Sequence, residues 1–372
     1  MAMKKVVSLI LALALVLGLC SFATAEGAAK KVGIAMPTQS LERWNRDGAY
    51  LKEQFESAGY ETVLSYSDNK NDQQVNDIAN MLSADVSLLI ISCVDSDGLN
   101  TVLDEAAEKG IPVIAYDRMI NNDAVSYYVS FDNYTVGVLQ GTFVKDALDL
   151  DNAGDKTFNM EFTGGASTDP NAAYFFNGAY DQLKDYIEKG TIKVPSGQTT
   201  LDQCGTEQWS TDVALNRAQT ILGSFYADDT VLDAWLCSND STSAGVAQAI
   251  ESDYKGDNAV IVTGQDGDIA NLQNIVDGKQ TMTVYKNVAN EAVVTLSVAK
   301  AILAGEEIDG AALAAAQEVE CAFDTTSYFS SPEKNTPAFL LVPTVVTKDN
   351  LQYLVDTGLY QWDADQKYLL AK

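Results

Sequence analysis

The chain has 372 residues, 47% hydrophobic and 20% charged, an ordinary globular composition with length for two or three domains. Its formal net charge of −28 excludes nucleic acid and anionic membrane surfaces as partners and otherwise reads as solubility. No histidine is present, which excludes Ser-His-Asp and Cys-His catalysis and every His-ligated metal.

Residues 1–25 read as a secretory signal peptide. Lys4 and Lys5 precede an apolar run, Val6 to Leu19, too short to span a bilayer, and Ala23-Thr24-Ala25 is a cleavage site. The competing reading is lipidation at Cys20, but a lipoprotein signal wants a small residue where Leu19 stands. No later run approaches a membrane span, so a soluble, exported chain is expected, periplasmic or cell-surface. Cys93, Cys204, Cys237 and Cys321 match no metal motif; they allow three full disulfide pairings, among which the sequence does not choose.

Lys31–Met36 predicts a first strand, broken by Pro37. Gly48, Leu51 and Phe55 then fall at helical spacing. Glu61–Tyr66 is a second strand, and Val75, Ile78 and Leu82 mark one face of a helix. Val86–Ser92 is a third strand, followed by a helix carrying Leu99, Val102, Leu103 and Ala106. Ile111–Arg118, IPVIAYDR, is an apolar run ending on an acid and a base, as a strand buried on both faces would. Tyr127–Phe131 is a fifth strand, and Asp132-Asn133 reads as a turn or cap.

The alternation then repeats. Strands are expected at Lys156–Phe162, Val231–Cys237, Ala259–Thr263 and Thr281–Tyr285. Helices are expected at Asn171–Lys189, around Val213–Leu222, around Ala244–Ile250 and from about Val288 to Leu303. Glu306–Pro337 fits the alternation poorly and reads as an insertion or hinge crossover. Ala338–Val342 is a last strand, and Thr347 caps a short helix through Leu354. Alternating strands and helices predict two α/β halves with parallel, doubly wound sheets.

In such sheets ligands collect beyond the carboxyl ends of the strands. Those positions hold Arg43 and Trp44, Asp117 and Arg118, Asp169 and Asn171, Trp209, Asn239 and Asp240, Asp266, and Lys286. Aromatic faces beside carboxylates, amides and fixed cations suit a neutral polyol. Gly164-Gly165 is too little for a phosphate loop, and the carboxylates would repel a phosphate. Each residue also has a bland reading: Asp117-Arg118 as a local ion pair, either tryptophan as core, Lys286 as a surface lysine. For Asp240 the preferred reading is a cap of the helix starting near Ser241.

The stretches LERW, GIPVIAYDRMI, VSFDN, SND-x-T, GQD and TMTVYK, in this order, resemble the type I periplasmic-binding-protein family, among its D-xylose-binding and multi-sugar (glucose/galactose/arabinose) members. The resemblance runs from about Lys31 to the C-terminus. It implies two lobes joined by a three-stranded hinge. The expected N-terminal lobe is 26–133 plus about 287–336, and the C-terminal lobe 134–286 plus about 337–372. It implies capture of an aldose, xylose or a glucose/galactose-like sugar, by lobe closure, without catalysis, metal or cofactor. It further implies a monomer that delivers the sugar to an ATP-driven membrane permease, with a sensory receptor as a second partner. By motif position the ligand contacts are Arg43, Trp44, Asp117 and Arg118 from the first lobe, Asn171, Trp209, Asn239 and Asp266 from the second, and Lys286 at the hinge. Trp44 and Trp209 would sandwich the ring, Asp117 and Asp266 would accept from its hydroxyls, and Asp169 would be a neighbour. Gln39-Ser40 stand where relatives carry a basic residue. Three other readings compete: a carboxylate-based glycoside hydrolase, a sensor, which does not exclude transport, and a repressor core, the last opposed by the signal peptide and the lack of a basic helix-turn-helix.

Overall fold

A computed structural model describes residues 30–372. The expected signal peptide, its cleavage site and Cys20 lie outside the described residues. Among the described residues no helix is long and apolar enough to cross a membrane.

The first sheet takes β1 (Lys31–Met36), β2 (Glu61–Tyr66), β3 (Leu88–Ile91), β4 (Val113–Tyr116) and β5 (Val125–Phe131) as parallel strands. Their apolar runs are continuous because both faces are covered. Leu89 and Ile91 pack into one core with Leu103 and Ala115, while Leu88 and Ile90 pack into another with Leu51, Phe55 and Ile114. The second sheet takes β6 (Phe158–Thr163), β7 (Ile192–Lys193), β8 (Ala234–Cys237) and β9 (Ile261–Val262), also parallel. β10 (Met282–Tyr285) continues it through a bridge between Gln265 and Val284.

The C-terminal third departs from expectation in two places. Glu306–Pro337 is not a hinge crossover. It contributes a short helix, Gly310–Ala315, and β11 (Cys321–Asp324), which forms the first sheet's edge. A hairpin of β12 (Phe329–Ser331) and β13 (Lys334–Asn335) follows. β14 (Ala338–Leu341) then pairs with β5 and β11, so it belongs to the first sheet, although a boundary near 337 assigned it to the second lobe. Hydrophobic patterning marks β14 as a buried strand but cannot name its partner. β15 (Thr344–Thr347) pairs antiparallel with β10.

The chain therefore crosses between the two bodies three times. The crossings lie after Phe131, after Tyr285 and after Leu341. Helix Asn133–Ala147, which the patterning missed, opens the second body against helix Asn171–Glu188. Its Gly137 and Gly141 lower helix propensity and obscure the pattern. They also permit the packing: a Cβ on Gly137 would lie 2.1 Å from the Phe175 carbonyl oxygen.

Candidate functional site

The first sheet's order β2-β1-β3-β4-β5 reverses direction beside β1, and the site is built at the carboxyl ends there. After β1 the chain turns into helix Glu42–Ser57, whose first turn carries Arg43 and Trp44, both buried. Arg43 donates to Asp117 at 2.8 Å and to Asp47, Asp266 and Glu291 at 3.3 Å each. Burial disfavours its charge, but these four carboxylates hold its pKa well above the ordinary value. Trp44 is flanked by two guanidiniums, with Arg43 and Arg118 each 4.9 Å from its ring centroid.

Asp117 follows β4 in the left-handed region, φ +57°. That turn is fixed by its own backbone. Its N–H donates to Val129 O at 2.8 Å, and its carbonyl accepts from Asn171 Nδ2 at 2.7 Å and Ser130 Oγ at 3.0 Å. The carboxylate then faces Arg43 and, at 3.1 Å, Lys286 Nζ. Burial opposes its ionisation, yet Arg43, Lys286 and Arg118 hold its carboxyl down at about 2. Asp117 and Arg118 do not pair with each other as a local ion pair. Adjacent side chains leave the turn in different directions, and Arg118 sends its Nη1 to Cys93 O at 2.9 Å and its Nε to within 3.1 Å of Asp169.

From the second body, Asn171 opens helix Asn171–Glu188 and Asn239 caps helix Asp240–Asp253, accepting from the Thr242 N–H. Asn239, not Asp240, is thus the cap. Asp240 instead accepts from the N–H groups of Gly267 and Asp268 and from Gln280, each at 2.9 Å, which shapes the loop presenting Asp266. Asp266 sits at φ +107°. Both carboxylates expected to face the ligand thus lie on sparsely populated backbone, a cost of about 1–3 kcal/mol each that concentrates at ligand clamps. Trp209 also lies at positive φ and donates Nε1–H to Asp169 at 3.2 Å.

All nine expected residues line one cavity: Arg43, Trp44, Asp117, Arg118, Asn171, Trp209, Asn239, Asp266 and Lys286. Lys286 is not a surface lysine but 1% exposed, bridging Asp117 and Asp266 at 3.1 and 3.5 Å. Leu41, Asp169, Phe175, Ser241 and Gln265 complete the lining, whereas Gln39 and Ser40 stay outside it. A water-sized sphere can centre itself in about 30 Å³, since the guanidinium and ammonium groups reach across to the carboxylates. Buried acceptors remain open, among them Gln265 Oε1. Fixed donors, fixed acceptors and aromatic faces in a water-poor space suit one small hydroxyl-rich solute. Among the described residues no group of three or more Cys, Asp or Glu is arranged to hold a metal.

Sequence reasoning missed the layer behind this lining. Asp47 and Glu291 flank Arg43; burial pushes both carboxyls upward, and for Glu291 the charge of Asp117 adds to it. The i, i+4 spacing of Arg43 and Asp47 on a helix face with Leu51 was a readable signal. It also missed a second seam between the bodies. Arg46 donates to Asp268 at 2.9 Å, Tyr360 at 2.8 Å, and the carbonyls of Gly267 and Asp266 at 2.9 and 3.1 Å. Glu42 accepts from the Ile269 N–H at 3.0 Å, at the start of a helix.

Residues 32–307 match the family model described as periplasmic binding protein domain. The multiple sugar-binding periplasmic receptor ChvE of Rhizobium radiobacter is 37% identical, covering 97% of this chain and 99% of its own. The D-xylose-binding periplasmic protein of Escherichia coli is 32% identical over 87% of this chain and 88% of its own. A crystal structure of an ABC transporter solute-binding protein from Clostridium phytofermentans, with bound β-D-glucose, superposes with a TM-score of 0.84. It is 44% identical and covers 91% of this chain and 99% of that one.

Proposed function

The chain belongs to the periplasmic binding protein family, and from that premise we propose that it captures one aldose between its two bodies and delivers it to a membrane ABC permease. Its relatives carry the names of sugar-binding and sugar-receptor proteins, and the glucose-bound structure spans nearly the whole chain. The observation that carries the reading is the convergence of nine side chains from both bodies on one buried cavity.

The site works by capture, with no bond made or broken. Asp117, ionised throughout the physiological range, is a permanent acceptor for a sugar hydroxyl, and Asp266 is its counterpart from the other body. Arg43, Arg118, Lys286, Asn171 and Asn239 supply donors, and Trp44 and Trp209 cover the apolar C–H faces. A bound sugar exchanges its hydroxyls for the direct ion pairs between the two bodies, so closure and binding are one event. Export by a signal peptide over residues 1–25, lobes divided at the three crossings, a monomeric state and a sensory receptor as second partner belong to the same reading. Isothermal titration against a panel of pentoses and hexoses tests it: one or more aldoses bind at micromolar Kd or better, about −8 kcal/mol. Absence of heat from every aldose would overturn it.

A further inference from the structure

Outside residues 32–307, the part matched to the family, lies an antiparallel hairpin of β16 (Tyr360–Trp362) and β17 (Leu369–Ala371), none of whose residues lines the cavity. It packs on helix Ile269–Asp277 through Leu369, Leu272 and Ile275, so it moves with the second body. Tyr360 is 3% exposed and meets Tyr285 edge-on, with ring centroids 5.9 Å apart. Its hydroxyl donates to Gly267 O at 3.0 Å and accepts from Arg46 Nη1 at 2.8 Å. Burial pushes the phenol up to about 12 against the pull of Arg46, so the donated proton stays in place through the physiological range.

The loop that Tyr360 touches is the one presenting Asp266, and it needs holding. Asp266 and Gly267 stand at φ +107° and +73°, and a non-glycine residue in such a turn persists only where its surroundings over-determine it. The groups that hold the loop divide by body. Arg46, which donates to the carbonyls of Asp266 and Gly267, and Glu42, which accepts from the Ile269 N–H, belong to the first body and act only while the bodies are together. From the second body, Asp240 accepts from the N–H groups of Gly267 and Asp268, and Val284 O accepts from Asp266 N–H at 3.0 Å. Among the described residues Tyr360 is the one second-body side chain that donates to a carbonyl of Asp266 or Gly267.

We propose that Tyr360 is a positioning residue for capture: its hydroxyl keeps the Asp266 loop in its binding turn while the bodies are apart and takes Arg46 as a partner when they close. The inference rests on the aldose reading of the cavity. One hydroxyl suits both tasks, with a proton for Gly267 and a lone pair for Arg46. Losing the first task lowers the fraction of open protein able to bind and so slows association. Losing the second, a contact of the closed form alone, speeds dissociation.

Calorimetry and stopped-flow tryptophan fluorescence with D-glucose, D-galactose, D-xylose and L-arabinose test this on wild type, Tyr360→Phe, Arg46→Met and the double variant. Phe keeps the ring against Tyr285, and thermal melting checks folding. Tyr360→Phe is expected to raise Kd about 3- to 10-fold, the effect of one net hydrogen bond, with association slowed about threefold. Arg46→Met speeds dissociation and leaves association within about twofold of wild type. In the double variant association stays slowed, because Arg46 is not what holds the loop in the open protein. A wild-type association rate in Tyr360→Phe overturns the proposal, and so does a slowing by Tyr360→Phe that vanishes in the Arg46→Met background. No heat from any of these sugars with wild type fails the aldose reading instead.

Discussion

Replacing Asp117 by Asn changes one charge and little else. Asn tolerates the left-handed backbone at φ +57°, so the turn survives, where Ala would be strained. The backbone bonds to Val129, Asn171 and Ser130 are kept. What goes is the anion facing Arg43 at 2.8 Å and Lys286 at 3.1 Å. Holding that carboxyl at about 2 instead of 3.8 corresponds to roughly 2–3 kcal/mol in favour of the charged, folded form. This stability is present above the ordinary carboxylate range and is lost as pH falls through about 2. Asp117→Asn should therefore unfold at lower temperature at neutral pH, losing about 2 kcal/mol, since Arg43 keeps Asp47, Asp266 and Glu291 as partners. A sugar hydroxyl loses a charge-assisted acceptor in a buried site, about 1.5–3 kcal/mol, which raises Kd roughly 10- to 100-fold. Calorimetry and thermal melting read both effects. Affinity within twofold and an unchanged melting temperature would refute the reasoning for Asp117.

Three further outcomes are expected. Arg46→Met removes four bonds across the seam without touching the cavity, so aldose affinity should fall about tenfold and X-ray scattering should report a larger radius of gyration; wild-type values for both would show that the seam does not bias closure. Burial, with Asp266 and Glu42 nearby, outweighs Arg46 and raises Asp268 from 3.8 to about 7, and Asp240 is raised in the same direction. The folded chain then holds protons that the unfolded chain releases, so stability falls as pH rises from about 4 to about 7, and melting should occur at lower temperature at pH 8 than at pH 5. The difference should shrink in Asp268→Asn, and a melting temperature that rises over this interval would contradict the account. Gly137→Ala places a Cβ against the Phe175 carbonyl and should cost about 1–3 kcal/mol in denaturant unfolding; a neutral effect would mean that the two helices can separate freely.

Much of the fold was legible because buried parallel strands are short continuous apolar runs. β1 and β2 were read with the bounds they have. What resisted was structure set by partners distant in sequence. Nothing local assigns Ala338–Leu341 to β5 rather than to the second sheet, and the edge strand Cys321–Asp324 forms only because β14 is there to pair with. The cavity lining was legible because strand ends converge, so Asp117, Asp266 and Lys286 could be gathered without coordinates. The ion pairs were not. Asp117 pairs with Arg43, 74 residues away, not with Arg118 beside it. The roles of Asp240 and Arg46 also depend on tertiary placement: one shapes the Asp266 loop from beneath, the other ties the two bodies outside the cavity.

The most direct test is a crystal structure of the protein with the aldose that binds most tightly. The account predicts the sugar ring enclosed between the two bodies, its hydroxyls donating to Asp117 and Asp266 and accepting from Arg43 and Lys286, with Trp44 and Trp209 against its faces. A sugar bound elsewhere, or held by residues of one body alone, would contradict it.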